Sequence, residues 1–174
     1  MGTKKIRIGI GEGAVTKPPG IIVAEGLGSC VALVLYDAKR MVGGMSHIML
    51  PDSPEYKNET HKPETRNQKS NIILPYLYAD SAIETLLKEL QYRGAHLHNI
   101  IAKIVGGACM FPVYNGGSRG IGEQNILYIR DTLKRKLIPL VGGDVGGSHG
   151  RTAEFYLDSG RVIVKAVGRE DKEI

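Results

Sequence analysis

The fold of this chain is decided by residues 26–37, with the sequence GLGSCVALVLYD, and by residues 45–50, MSHIML. The first stretch is a glycine-rich turn that leads into an apolar run, which is typical of a strand covered on both faces. The second stretch is largely apolar and carries one histidine. With a turn over residues 37–40, the two runs form a hairpin in which His47 pairs close to residues 31–32. This register predicts that Cys30 and His47 lie within reach of each other.

A cysteine and a histidine on neighbouring strands are the minimum parts of a thiolate nucleophile with its base. The alternative is purely structural, because cysteine is often buried as a small hydrophobe and a histidine in an apolar strand can be a core residue. The Gly28-Ser29 turn favours catalysis, since the backbone N–H groups of Ser29 and Cys30 can point outward as an oxyanion hole. In such a pair, His47 is expected to lower the pKa of the Cys30 thiol.

The remaining patterns predict an α/β fold, a single domain over residues 1–174 with a mixed, strand-rich sheet and two main helices. Residues 11–20 are predicted to be a turn-rich connection, and residues 51–75 a long exposed loop. Gly43-Gly44 indicates either a β-bulge or a point of close packing. The predicted strands are 5–10, 21–24, 31–36, 42–50, 99–105, one starting at 138–141, and a hairpin of 153–157 with 161–167. The predicted helices are 75–94 and 121–136.

Composition limits the classes of partner and compartment. The net charge of +5 comes from scattered basic residues, and the chain has no Trp and two Phe. A nucleic-acid groove with aromatic stacking is therefore not expected, whereas an acidic protein partner is compatible with the charge. No apolar run approaches the ~18 residues of a membrane span. Two cysteines do not make a secreted disulfide framework, so we expect a cytoplasmic protein without membrane insertion.

Three lesser motifs are interpreted as structural. Cys109 is expected to be a packing residue, and His96 with His98 to occupy a solvated turn without the further ligands of a metal site. The glycine-rich residues 142–147 are expected to form a turn near the rim of the active site. A nucleotide-binding loop is the alternative there, although the Lys-Ser/Thr and Gly-x-Gly-x-x-Gly contexts are missing. Candidate neighbours at that rim are Asn125, Ser148 and His149.

Several segments, in the same order along the chain, resemble the chemoreceptor glutamine deamidase family, CheD. They are GLGSCV at 26–31, GMSHIMLP at 44–51, YADSAI at 78–83, AKIVGGA at 102–108, IGEQN at 121–125, and DVGG at 144–147 with Gly150-Arg151. The resemblance covers nearly the whole chain, and the loop at 51–75 looks expanded relative to the family.

This resemblance implies hydrolysis of the side-chain amides of receptor glutamines to glutamate and ammonia, and for some members hydrolysis of glutamyl methyl esters. It assigns Cys30 as the nucleophile and His47 as the general base and acid. It also implies a single-domain α/β sandwich similar to the catalytic domain of cytotoxic-necrotizing-factor deamidase toxins, without a metal or organic cofactor. The implied partners are a methyl-accepting chemotaxis protein as substrate and a CheC-type phosphatase as regulator.

One position departs from the family. Members commonly have a threonine six residues before the cysteine, which completes a Cys–His–Thr triad, whereas this chain has Ala24. The group that orients His47 is therefore missing, or is a backbone carbonyl or another side chain. The same departure supports an alternative function, in which the protein is a weakly catalytic or non-catalytic adaptor for the phosphatase or the receptors.

Overall fold

The computed structural model of the chain describes residues 2–53, 74–110 and 120–174. The strands are β1 (Lys4–Ile8), β2 (Gly13–Thr16), β3 (Gly20–Leu27), β4 (Val31–Asp37), β5 (Val42–Ile48), β6 (Ile100–Gly106), β7 (Leu140–Val145), β8 (Arg151–Tyr156), β9 (Val162–Lys165) and β10 (Lys172–Glu173). The helices are α1 (Ala79–Tyr92) and α2 (Ile121–Arg135), and a short 3-10 turn spans Leu97–Asn99. Of the predicted loop at 51–75, residues 54–73 lie outside the described residues.

The strands form two five-stranded sheets of mixed direction. Sheet A has the order β1-β3-β8-β9-β10, and sheet B has the order β2-β5-β4-β6-β7. One pair in each sheet is parallel, namely β1–β3 and β6–β7. The predicted α/β class, the mixed strand directions and the two main helices are confirmed in the described residues. The prediction of one sheet is wrong, because the strands divide between two.

Sheet B is the middle layer of the fold, and its central strand β4 explains why. Val31, Leu33 and Leu35 pack with the apolar faces of α1 and α2. The intervening residues, among them Ala32 and Val34, pack against sheet A. Successive side chains of a strand point to opposite faces, so a strand that is apolar at every position is buried on both.

The hairpin register predicted from the sequence is confirmed. In the antiparallel β4–β5 pair, Val31 lies opposite Ile48, and Ala32 lies opposite His47. The pairing continues without a shift through Gly43 and Gly44, so no bulge forms there. Close packing explains the two glycines instead, since a Cβ at Gly43 would lie 2.6 Å from the Phe155 ring.

Two stretches predicted to be turns contain strands. Residues 13–16 form β2, the edge strand of sheet B, although the surrounding glycines and prolines indicated a connection. Residues 142–145 belong to β7, which pairs in parallel with β6. Glycine has a low propensity for strands. In these two edge strands, hydrogen bonding of the backbone to the neighbouring strand outweighs that low propensity.

The helices are positioned by one apolar face each. In α1 this face consists of residues at helical spacing, including Ile83, Leu86 and Leu90, which are fully buried. In α2 the corresponding residues include Ile129 and Leu133. Neither these helices nor any other helix in the described part of the chain is long and apolar enough to cross a membrane.

Candidate active site

Cys30 lies between a glycine turn and the first residue of β4. The turn uses Gly26 at φ +69°, and the Gly28 N–H donates to the Gly26 carbonyl at 3.0 Å. The loop after β6 holds the turn from the other side, because the Gly107 N–H donates to the Cys30 carbonyl at 2.8 Å. The Cys30 side chain is 8% exposed, so the thiol lies at the edge of the core between the sheets.

His47 occupies the penultimate position of β5 and is 2% exposed. Its backbone is fixed by the chain between β1 and β2. The His47 N–H donates to the Glu12 carbonyl, and the His47 carbonyl accepts from the Gly11 N–H, both at 2.9 Å. Because both backbone groups point towards β2, His47 and Ala32 form a non-hydrogen-bonded pair, the arrangement in which facing side chains approach most closely.

Cys30 and His47 lie on the same face of sheet B. Cys30 packs in the same apolar cluster as Ala32, between the two sheets, and Ala32 lies directly opposite His47 in the β4–β5 pair. Such diagonal neighbours are about 7–8 Å apart along the sheet, within reach of long side chains. Neither ring nitrogen of His47 has a hydrogen bond of good geometry to a described residue, and the Ile8 carbonyl is the backbone acceptor close enough to affect the imidazole.

Burial keeps both groups in their neutral forms near pH 7. Burial raises the pKa of the Cys30 thiol, an effect that the residue's own backbone N–H partly offsets. Burial also lowers the pKa of His47, although the nearby Ile8 carbonyl and the Glu12 carboxylate act in the opposite direction. The expectation of a lowered thiol pKa is therefore wrong for this state, because desolvation outweighs the stabilisation of a thiolate. A neutral imidazole beside a neutral thiol is suited to accept its proton during attack.

The backbone N–H groups predicted as oxyanion donors have no acceptor in another described residue. Neither the Ser29 N–H nor the Cys30 N–H donates to a different residue there, and the Cys30 N–H faces only its own thiol, whereas the carbonyls of Gly28 and Cys30 are both bonded. Unpaired amide donors beside a nucleophile are the arrangement that stabilises a tetrahedral oxyanion.

Ala24, the position at which the resemblance implies a threonine, is fully buried in β3. It pairs directly with Ile8 in the parallel β1–β3 ladder and with Ala153 in β8. The Ile8 carbonyl that raises the pKa of His47 thus belongs to the residue beside position 24. A backbone carbonyl is the only kind of hydrogen-bond acceptor that Ala24 and Ile8 can offer to the imidazole.

Asn125 is fully buried in α2 and joins the cysteine loop to the end of the histidine strand. Its Nδ2 donates to the carbonyl of Ser29 at 3.1 Å and to that of Met49 at 2.9 Å. The sequence indicated Asn125 only as a neighbour of the rim. Its two contacts could not be read from the sequence, because they depend on how α2 packs over sheet B.

Arg151 is a residue of this region that the sequence pattern did not assign to a role. Its side chain is 3% exposed, and its guanidinium binds Asp144 Oδ1 at 2.9 Å and the Gly146 carbonyl at 2.8 Å. Burial alone would raise the pKa of Asp144, but Arg151 and Lys172 hold it below its usual value. The ion pair fixes the end of β7, whose Gly146 N–H donates to the Gly106 carbonyl at 2.9 Å.

The remaining sequence-predicted residues have other settings. Cys109 is exposed, so its assignment as a packing residue is wrong. Among the described residues, neither Ser148 nor His149 makes a hydrogen bond to Cys30 or His47; the His149 carbonyl instead accepts from Arg151 at 3.1 Å. No group of three or more His, Cys, Asp or Glu side chains with the geometry of a metal site occurs within residues 2–53, 74–110 and 120–174.

Comparison with known proteins gives matches over most or all of the chain. Residues 49–166 match the family model described as CheD chemotactic sensory transduction. The chain is 40% identical over 175 residues to the probable chemoreceptor glutamine deamidase CheD of Caldanaerobacter subterraneus subsp. tengcongensis, covering 100% of both chains. It is 39% identical over 176 residues to the protein of the same description from Moorella thermoacetica, covering 98% of this chain and 96% of that one.

The two kinds of match cover different parts of the site. The family model begins at residue 49, after Cys30 and His47, whereas the alignments with the two relatives include these residues. Full-length identity of this size and the matching family model together identify the protein family. This chain belongs to the CheD family.

Proposed function

We propose that this protein is a chemoreceptor glutamine deamidase, which hydrolyses glutamine side-chain amides of methyl-accepting chemotaxis proteins to glutamate and ammonia. The observation that carries the proposal is the placement of Cys30 and His47 on one face of sheet B, in a chain whose full-length relatives bear that description. Cys30 is the nucleophile and His47 the general base and acid, and no metal or organic cofactor is needed for this chemistry.

In the first half of the reaction, His47 accepts the proton of the Cys30 thiol as Sγ attacks the amide carbon. The carbonyl electrons move to oxygen, which the N–H groups of Ser29 and Cys30 stabilise as an oxyanion. His47 then donates its proton to the amide nitrogen, the C–N bond breaks, and ammonia leaves a thioester on Cys30.

In the second half, water attacks the thioester carbon while His47 accepts its proton. The C–S bond breaks, the carboxyl group of glutamate is released, and the thiol recovers its proton from His47. A glutamyl methyl ester fits the same sequence of steps with methanol in place of ammonia.

The neutral state of both groups supports a base that acts during attack. A raised thiol pKa and a lowered imidazole pKa disfavour a standing thiolate–imidazolium pair. The role of the third triad member falls to the Ile8 carbonyl, the polar group beside Ala24. A fold similar to cytotoxic-necrotizing-factor deamidases and regulation by a CheC-type phosphatase are further parts of the proposal.

The test is incubation with receptor fragments, followed by peptide mass spectrometry of each glutamine and an assay of released ammonia. We expect conversion of specific glutamines by the wild type and none by the Cys30→Ala variant. Cys109→Ala is the matched control, because that cysteine is exposed and outside the proposed pair. Retained deamidation in Cys30→Ala would exclude the assigned nucleophile.

A second candidate function is an adaptor that binds receptors or a CheC-type phosphatase with little catalysis. It is favoured by Ala24, which offers no hydroxyl to His47, and by burial of the thiol. Pull-down with receptor fragments and with the phosphatase separates the two functions, because an adaptor keeps its complexes and its biological effect in Cys30→Ala. If the protein is a deamidase, the Cys30→Ala variant still binds receptor fragments but no longer converts their glutamines to glutamate.

A further inference from the structure

Asn125 has an unusual position for an asparagine. It is fully buried on a largely apolar helix face that also contains Thr132, and an amide without hydrogen bonds is costly there. A side-chain amide has two N–H donors, and Asn125 Nδ2 donates to two carbonyls, those of Ser29 and Met49. The reversed amide would place Oδ1 against two carbonyl oxygens, so these contacts also fix the orientation of the group.

The two carbonyls lie beyond the last pair of the β4–β5 ladder. Regular pairing ends at Val31 with Ile48, and the chain then turns away, since the Met49 N–H donates to the Leu77 carbonyl at 3.0 Å. The sheet therefore does not hold the Ser29–Cys30 peptide beside β5. Asn125 makes that connection, with Met49 as its anchor on the β5 side.

The bond to Ser29 determines where the Cys30 N–H points. The Ser29 carbonyl and the Cys30 N–H belong to one peptide group, and in a trans peptide they point in opposite directions. Holding the carbonyl towards α2 therefore directs the N–H away from α2. This N–H has no acceptor in any other described residue and lies on the proposed nucleophilic residue itself.

We propose that Asn125 is a positioning residue that directs the Cys30 N–H towards the oxyanion formed in deamidation. The proposal rests on the proposed function and adds a residue to it. Asn125 acts through the Ser29–Cys30 peptide, whose carbonyl accepts from Nδ2. The role explains the two Nδ2 contacts, whereas the buried Oδ1 has no hydrogen-bond partner among the described residues.

The kinetic test uses Asn125→Ala and the isosteric Asn125→Asp, with Thr132→Val as matched control. Thr132 is buried in the same helix and accepts a hydrogen bond from Arg135, but contacts neither strand end. Loss of one oxyanion donor lowers kcat by about 10²–10³-fold, so a misdirected donor is expected to lower it by roughly 10-fold or more. We expect KM to change little, and Thr132→Val to keep the wild-type kcat.

Alkylation of Cys30 by iodoacetamide, measured by peptide mass spectrometry, separates positioning from collapse of the site. That substitution forms no oxyanion, so its rate in the Asn125 variants should stay within about 3-fold of wild type while kcat falls. The kcat of Asn125→Asp divided by the wild-type kcat should rise as pH falls, because a protonated carboxyl regains one hydrogen-bond donor, its O–H group. An unchanged kcat, or an equal loss of kcat and alkylation, would overturn the proposal.

A structure of Asn125→Ala or Asn125→Asp gives a result independent of activity. We expect the Ser29–Cys30 peptide to rotate, and a peptide that stays in place would overturn the inference even if kcat fell. An inactive wild type would instead count against the proposed function, while a rotated peptide in the variants would still support the role of Asn125 in directing that peptide.

Discussion

The carbonyl oxygen of Cys30 occupies the space in which any side chain at Gly106 would begin. Gly106 has φ +113°, a conformation that L side chains rarely adopt, and ends the strand that pairs with β4. The same carbonyl accepts the Gly107 N–H at 2.8 Å, so the Cys30 backbone is held against this glycine pair. The position of the thiol thus depends on a residue that has no side chain.

Gly106→Ala is therefore expected to be far more damaging than an ordinary glycine replacement. The Cβ would collide with backbone, which cannot rotate away, so we expect a loss of more than about 3 kcal/mol in the free energy of unfolding. Gly94→Ala is the control, because Gly94 has φ +95° but open space around it and should cost about 1–2 kcal/mol. Equal losses in urea unfolding would show that the Cys30 carbonyl is not the obstacle.

The pH dependence of Cys30 alkylation tests the protonation state of the thiol. Burial raises the pKa of Cys30 above its ordinary value of 9.0. The iodoacetamide rate at Cys30 should therefore rise with pH and have its midpoint above that of the same cysteine in urea-unfolded protein. A native midpoint below the unfolded one would indicate that His47 forms a thiolate pair after all.

His47 is expected to make the protein less stable in mild acid. Its folded pKa is lowered by burial, so at pH values below about 6.5 the unfolded state binds a proton that the folded state does not. The contribution of neutral His47 to the free energy of unfolding is fully present above pH 6.5. It falls by at most about 1.4 kcal/mol per pH unit as the pH decreases towards the folded pKa. The loss should be smaller in His47→Gln and unchanged in His98→Gln, which replaces an exposed histidine. The prediction would be refuted if the free energy of unfolding, measured by urea titration, decreased with falling pH by the same amount in wild type and His47→Gln.

The sequence alone was sufficient to predict those features of the fold that depend on a local pattern of residues. Apolar residues at both parities predicted β4, and the short turn after it fixed the register that brings His47 opposite Ala32. The 3.6-residue spacing predicted both helices within a few residues of their ends. These features depend on side-chain periodicity and on turn length, which can both be read from consecutive residues.

What could not be predicted depends on contacts between distant segments. Contacts between segments far apart in the sequence produce three such features. They are the division into two sheets, the strand at β7 and the buried Arg151–Asp144 pair. The thiol pKa was predicted in the wrong direction for the same reason, because desolvation of Cys30 comes from residues of sheet A as well as from its own hairpin. Local patterns carry no information on such burial.

Arg151 is expected to contribute more to stability than its partner Asp144. Arg151→Ala leaves a carboxylate without its main cation and removes donors to the Gly146 and His149 carbonyls. Breaking a buried pair costs about 3–5 kcal/mol, and because Asp144 is partly exposed we expect about 2–4 kcal/mol. Asp144→Ala should cost less, since Arg151 keeps both carbonyl acceptors. A double-mutant cycle in urea unfolding checks this, and a larger loss in Asp144→Ala would contradict it.

Ala24→Thr tests whether this chain lacks a useful hydroxyl beside its histidine. Ala24 is fully buried next to Ile8, so the larger side chain is expected to cost about 1–3 kcal/mol of stability by overpacking. If a hydroxyl can orient His47, kcat for receptor deamidation should rise in Ala24→Thr despite that cost. Ala24→Val is the control, because it has the same shape without the oxygen and should lose stability without any gain in kcat. Equal kcat values in the two variants would leave the Ile8 carbonyl as the sufficient partner of His47.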